Sequence, residues 1–270
     1  MSTIQRRITA GAASALLATV GLSATACDDL LGGEAITGSG DLVTETYDLA
    51  DFANVDIGHA FDAEITSAEG FSVAVTVDDN ILENVEVRLD GDTLRIDMKG
   101  NNSYRNVTME AAVAMPALSH LKLSGASSAA LESFESSEPL KIELEGASTV
   151  DCSALTSGSA TFDLEGASKV DCRDVTTGEI TVALQGASSV ALTGTGGNAD
   201  VSAKGASKAD MRDLPVTNAK VKLEGASNAS VNTDGSLDVD LAGSSDLTYT
   251  GEPTLGDIKM SGDSSLEREG

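Results

Sequence analysis

The triplet Gly-Ala-Ser occurs six times, starting at Gly125, Gly146, Gly166, Gly186, Gly205 and Gly225, and two altered copies follow at Gly243-Ser244-Ser245 and Gly262-Asp263-Ser264. Successive copies are 21, 20, 20, 19, 20, 18 and 19 residues apart. A period near twenty with a fixed turn signal marks a solenoid, in which one coil cannot bury its apolar face alone and must stack on its neighbours. Such a chain builds a stacked surface and not a pocket.

The residues around each triplet say what a coil contains. Four positions before the Gly stand Leu121, Ile142, Phe162, Val182, Val201, Val221, Val239 and Ile258, and two before it stand Leu123, Leu144, Leu164, Leu184, Ala203, Leu223, Leu241 and Met260. The positions between them are polar or small, which is the period-two alternation of a strand with one buried face. After the triplet the alternation resumes, with Ala129, Val150, Val170 and Val190 at plus four and Leu131, Cys152, Cys172 and Leu192 at plus six. A looser third apolar position follows at Phe134, Leu155, Val175 and Leu214. The Gly turns the corner, and the small Ala and Ser let corners stack. Pro139, Pro215 and Pro253 are expected in connecting segments, since Pro cannot donate to a ladder. Chain chirality favours a right-handed crossover. The expected fold is all-β, a right-handed parallel β-helix of about eight coils over residues 119–270.

Residues 38–118 lack the triplet but are β-rich, with clean alternation from Phe71 to Val77 and a hairpin signal at Asp90-Gly91. This section is expected to cover the first end of the solenoid, where an open edge invites aggregation. Residues 1–26 read as a secretory signal peptide, with Arg6 and Arg7 ahead of an uncharged run from Ile8 to Leu22 that is short for a membrane span. Ala24-Thr25-Ala26 suits ordinary cleavage. Cys27 directly after small residues instead resembles a lipobox, in which the thiol is diacylated, and this reading is favoured although Ala24 stands where a Leu-like residue is preferred. Residues 27–37 then form a polar tether.

Cleavage would remove two of the 17 basic residues and none of the 43 acidic ones, so the charge would go from −26 to −28. That balance argues against nucleic acid and against an anionic lipid surface as partners. Membrane association is expected through acyl chains on Cys27.

Several features together resemble the head GIN domain family, described as putative auto-transporter adhesins of the bacterial envelope. The residues that carry the resemblance are Gly38-Ser39-Gly40, Phe52 with Val55 and Ile57, Val77-Asp78-Asp79-Asn80, Leu94-Arg95-Ile96, Met115-Pro116-Ala117-Leu118, and the run from Leu121 to Ser127. The resemblance covers residues 38–250 and implies a β-helix-like solenoid and an exported location, with no catalytic motif to transfer. Related toast-rack solenoids are associated with envelope-stress signalling.

His59 and His120 are isolated, which disfavours a general base, and no nucleophile, phosphate-loop or metal-ligand spacing is present. Glu143, Glu145, Asp163 and Glu165 should form an outward patch of four carboxylates. The patch lacks calcium nonapeptides, and Lys122 and Lys204 stand ready to relieve it, so a solvated acidic face is favoured over a calcium site. Neutralising the four is expected to leave stability equal or improved. Cys152 and Cys172 share one ladder position in adjacent coils. They are expected as two buried thiols acting as small apolar side chains, with a disulfide sterically permitted. No cofactor or metal site is expected. The functional expectation is a non-enzymatic, lipid-anchored envelope protein, an adhesin or surface-interaction module on a rigid acidic solenoid with an unidentified envelope or extracellular ligand. The alternative is a periplasmic envelope-stress sensor or scaffold engaging a membrane signalling partner, and the outsider is a polysaccharide-active β-helix enzyme.

Overall fold

The computed structural model describes residues 35–269. The expected signal peptide over 1–26, Cys27 and most of the tether over 27–37 lie outside the described residues. No described helix is long and apolar enough to cross a membrane.

The non-repeating section opens with β1 (Ile36–Thr37), β2 (Leu42–Tyr47), β3 (Asn54–Ile57), β4 (Asp62–Ser67) and β5 (Ser72–Asp78). A short 3-10 segment over Asp79–Asn84 leads to β6 (Val85–Asp90), β7 (Thr93–Met98), β8 (Tyr104–Arg105) and β9 (Met109–Met115). β6 and β7 form the hairpin expected at Asp90-Gly91, with Asp90 opposite Thr93 and Gly91 at φ +64°. β3 and β4 turn out to be a coil in their own right. They pair in parallel register with the first Gly-Ala-Ser coil, Val55 beside Leu121 and Ile65 beside Leu131. Beyond them β7 lies on β3 and β9 on β4, both parallel, and antiparallel β5 and β2 extend the β9 side. The first coil of the solenoid is thereby covered, as expected, while among the described residues β2 and β6 each pair on one side only.

The repeats supply β10 (His120–Leu123), β11 (Ser128–Glu132), β12 (Leu140–Leu144), β13 (Thr149–Ser153), β14 (Thr156–Leu164), β15 (Lys169–Leu184) and β16 (Ser189–Gly205). They continue with β17 (Lys208–Val216), β18 (Asn218–Gly225), β19 (Asn228–Thr233), β20 (Ser236–Gly243), β21 (Asp246–Thr250), β22 (Thr254–Gly262) and β23 (Ser265–Arg268). Every pairing among them is parallel and links positions one period apart, such as Leu144 to Leu164 and Leu164 to Leu184. The eight Gly corners delimit a solenoid of about seven turns. Inside run the aliphatic ladders read from the sequence, from Leu121 and Leu123 through Val239 and Leu241, each 3% exposed or less.

The corner has a physical construction in which each triplet residue has its own task. The glycines sit at φ between +76° and +89° from Gly125 to Gly262, the left-handed region that costs an L side chain about 1–2 kcal/mol. They also form a column without room for a Cβ: one added at Gly166 would lie 3.2 Å from the Cα of Gly146. The Ala N–H bonds the previous coil's glycine carbonyl, as from Ala167 to Gly146 at 2.7 Å. The Ser is buried, and its Oγ donates to the carbonyl three residues earlier, as from Ser168 to Glu165 and Ser188 to Gln185, both at 2.9 Å. That bond answers the polar group that burial would otherwise leave orphaned.

Three expectations are corrected. Cys152 and Cys172 are joined in a disulfide and not held as free thiols; their direct in-register stacking brings the Cα atoms to 4.4 Å. Pro215 lies inside β17 and not in a connecting segment, at a register shift between Met211 and Pro215, the kind of irregularity at which a strand accepts Pro. The inward ladder also fails at its last described coil: Ile258 and Met260 are 39% and 44% exposed, and among the described residues no coil lies above them.

Candidate interaction surface

Chemistry on a solenoid must come from side chains that adjacent strands bring to one outer face. The two histidines are not brought together. His120 begins β10 opposite Asn54, whereas His59 lies five residues further along that neighbouring segment, past the end of β3. His59 occupies the first coil's corner at φ +56° and its Nδ1 meets Asp97 Oδ1, while His120 Nε2 lies 3.5 Å from Glu143 Oε2.

The carboxylates expected on two consecutive coils do share a face, with Glu143 directly beside Asp163. They are not four free charges. Lys122 Nζ donates to Glu143 Oε1 at 2.8 Å and to Glu145 Oε1 at 2.7 Å, and Lys141 Nζ donates to Glu143 Oε2 at 2.6 Å. Gln185 donates to Glu165. Lys204, expected to help, is instead paired with Glu224 at 3.8 Å. Hydrogen bonds from Lys122 and Lys141 hold the Glu143 carboxyl down from its ordinary 4.5 to about 2, and Glu143 and Glu145 push the Lys122 ammonium up.

The bridge argues that neutralising Glu143 alone carries a cost, where neutralising all four carboxylates together was expected to carry none. A carboxyl whose folded pKa is depressed contributes stability that is present above its unfolded pKa and is lost as pH falls through the folded value. Glu143→Gln is therefore expected to cost about 1 kcal/mol at pH 7, solvent screening keeping it below the full linkage value. The deficit should shrink between pH 4.5 and 2. Urea unfolding of both proteins at pH 7 and pH 2.5 measures it; an equal deficit at both would show that the charge is not its source.

The Asp-Asp-Asn run after Val77 serves the fold. Asp78 is buried and accepts from the backbone N–H groups of Thr108 and Gly40, both at 2.7 Å, which hold its carboxyl below the usual carboxylate range. Asp79 accepts from Ser39 Oγ at 2.6 Å, and Asn80 accepts from Ser39 N and donates to the Thr37 carbonyl. The run is a clip that fastens the entering chain to the covered end.

One depression had no sequence signal. Asp62, Glu64, Glu110 and Glu132 line it, with Ala74, Ala112 and Ala130 between them. It exists because β4 takes β9 on one side and β11 on the other, placing Asp62 beside Glu110 and Glu64 between Ala112 and Ala130. These residues come from separate strands of the non-repeating section and the first repeat, so no spacing announces them. Among the described residues, no group of three or more His, Cys, Asp or Glu is arranged to hold a metal ion.

A family model described as "Putative auto-transporter adhesin, head GIN domain" matches residues 51–253. Among curated proteins, none matches the chain. Solved structures with the same fold include a "putative lipid binding protein" from Parabacteroides distasonis, 18% identical, covering 88% of this chain and all of that one with a TM-score of 0.81. A "putative adhesin" from Parabacteroides merdae is 17% identical over the same shares, with a TM-score of 0.80. Another "putative adhesin", from Bacteroides fragilis, is 20% identical, covers 87% of this chain and all of its own, and has a TM-score of 0.68.

Proposed function

The chain belongs to the head GIN domain family, and from that premise we propose that it is a non-enzymatic adhesin or surface-interaction module of the bacterial envelope, held to the membrane by acyl chains on Cys27. The observation that carries the reading is the state of the outer faces. Most of their basic side chains are spent on neighbouring carboxylates along and between coils, as Lys122 with Glu143 and Glu145, Arg212 with Asp210 and Lys222 with Glu224, and with 43 acidic residues against 17 basic ones the chain keeps a large acidic excess. A flat, acidic, backbone-rigid surface suits recognition of another surface, whereas catalysis needs convergent groups in a water-poor site.

Protease shaving of intact producing cells, with a periplasmic protein as uncut control, tests the outward role. Cleavage of this protein alone is the expected result, together with weaker attachment of cells that lack it. Protection until the cells are lysed would remove adhesion and leave the periplasmic sensor or scaffold. Cys27→Ser is expected to release the processed chain from the membrane fraction; unchanged membrane retention would remove the lipid anchor.

A further inference from the structure

The Cys152–Cys172 bond sits beside an irregular point of the two coils it joins. β13 and β15 run in register from Thr149 beside Lys169 to Ser153 beside Arg173, and parallel pairing resumes between β14 and β15 at Thr156 beside Thr176. Between these stretches the chain turns at Ala154 and Asp174, at φ +52° and +56°, a left-handed conformation that L side chains adopt only at a cost. The Ala154 N–H donates to the Arg173 carbonyl across the gap, at 3.0 Å. On its other side β15 shifts register against β16, between Cys172 and Val175. The two cysteines stand two residues before each of these corners and are bonded to one another.

A solenoid opens by parting one coil from the next, because each coil touches only its neighbours. A corner where the ladder lapses and the backbone is unfavourable is where such a breach starts most readily. The disulfide bars it there. The cysteines are 20 residues apart, so the bond closes a ring of one full turn, and the second and third triplet coils cannot separate while it holds. Inside that ring the one basic residue is Lys169, which is half exposed. A cut after it would leave both halves of the chain joined through sulfur. The bond is also shielded, with Cys152 and Cys172 5% and 0% exposed, so an attacking thiolate reaches it only once the coils have parted.

We propose that the Cys152–Cys172 disulfide is an oxidative lock on this corner, closed after export, that holds the two coils together through local opening and through a nick in the chain between them. Closure is thiol–disulfide exchange with a disulfide-bearing oxidant of the exporting compartment. One cysteine thiolate attacks the oxidant's disulfide, and the other displaces the oxidant's sulfur from the mixed disulfide. The two cysteines give up two protons and two electrons, and the oxidant's disulfide ends as two thiols. The compartment rests on the exported reading above, whereas the mechanical role rests on the fold.

The full-length protein from its exporting host, denatured, alkylated and digested with trypsin without reductant, tests closure. Cleavage after Lys141, Lys169 and Arg173 leaves the cysteines on separate peptides, 142–169 and 170–173, which mass spectrometry finds joined only through the bond. The joined pair is expected. Alkylated single peptides from cells, with joining on treatment of the purified chain with oxidised glutathione, would overturn closure after export; no joining in either sample overturns the lock. The mechanical arm compares the oxidised chain with the same chain kept in dithiothreitol. Reduction is expected to lower the melting temperature by about 6–12 °C. Hydrogen exchange should rise around Ala154 and Asp174 while the strands at Leu223 and Leu241 keep their protection. Cys152→Ala/Cys172→Ala should be unmoved by dithiothreitol, which assigns the shift to this bond. Reduction in native buffer should run at least about 100-fold slower than in urea, since it waits on coil opening. Oxidised and reduced chains that melt and exchange alike overturn the lock, and equal reduction rates in buffer and urea overturn its shielding.

Discussion

Replacing Leu164 by Asp is expected to unfold the coils around it and to lower stability by about 4 kcal/mol or more. Leu164 is fully buried, and its ladder neighbours above and below are Leu184 and Leu144. The change removes about 2–3 kcal/mol of apolar burial and places a carboxyl where the nearby backbone donors are already committed to parallel ladders. An unpaired buried charge is among the few single changes that reach this size. Because contacts in a solenoid run only between neighbours, the damage should be local before it is global. Hydrogen exchange is expected to show lost protection from about Leu144 to Leu184 while the covered end keeps its protection, and urea unfolding by circular dichroism should lose its single transition. Acidification should restore part of the loss by protonating the new carboxyl. An unchanged unfolding curve would remove Leu164 from the interior.

The second large effect separates two reasons for one glycine. Gly166→Ala is expected to cost about 3 kcal/mol: about 1–2 for an L residue in the left-handed region, and the rest for crowding the Gly146 backbone. The carbonyl it crowds is the one that accepts from Ala167, so relief by movement would stretch a ladder bond. Gly91→Ala is the control. Gly91 also has positive φ, at +64°, but a Cβ there would meet nothing within 4 Å. It should lose only about 1 kcal/mol. Thermal or urea unfolding of both variants reads the difference; equal losses would mean that the glycine column serves backbone conformation alone.

What could be seen in the sequence was whatever repeats. Inward ladders propagate at one period, so Val150, Val170 and Val190 announce one another, and Gly marks the first corner. The second corner was hidden. Eight residues after Gly125, Gly146, Gly166 and Gly186 the chain bends again at Ser133, Ala154 and Asp174, with φ of +57°, +52° and +56°, and at Gly194. Three side chains other than Gly hold the left-handed conformation there, and no shared residue type announces it. The coil formed by β3 and β4 escaped notice for a related reason: its corner is His59-Ala60, not the triplet. Disulfide formation at Cys152 and Cys172 depended on how closely one ladder position stacks. On the outer faces, strand alternation placed Glu143 beside Asp163. It could not decide that Lys122 and Lys141 hold Glu143 while Lys204 turns to Glu224, because long side chains choose among several partners within their span. The acidic depression around Glu64 and Glu110 depended on the pairing of β4 with β9, a long-range choice outside any period.

The column of stacked corners makes the molecule a ruler. Every coil repeats the same Gly, Ala and Ser bonds to the coil beneath, while the variation in step from 18 to 21 residues is taken up between the corners. One coil is thus a removable unit that contributes about 4.8 Å of length. Adding or deleting a coil would lengthen or shorten the solenoid along its axis by that increment and leave the lateral faces of the other coils as they are. Variation in repeat number among chains built this way would then be variation in solenoid length, set in increments of a single β-strand spacing.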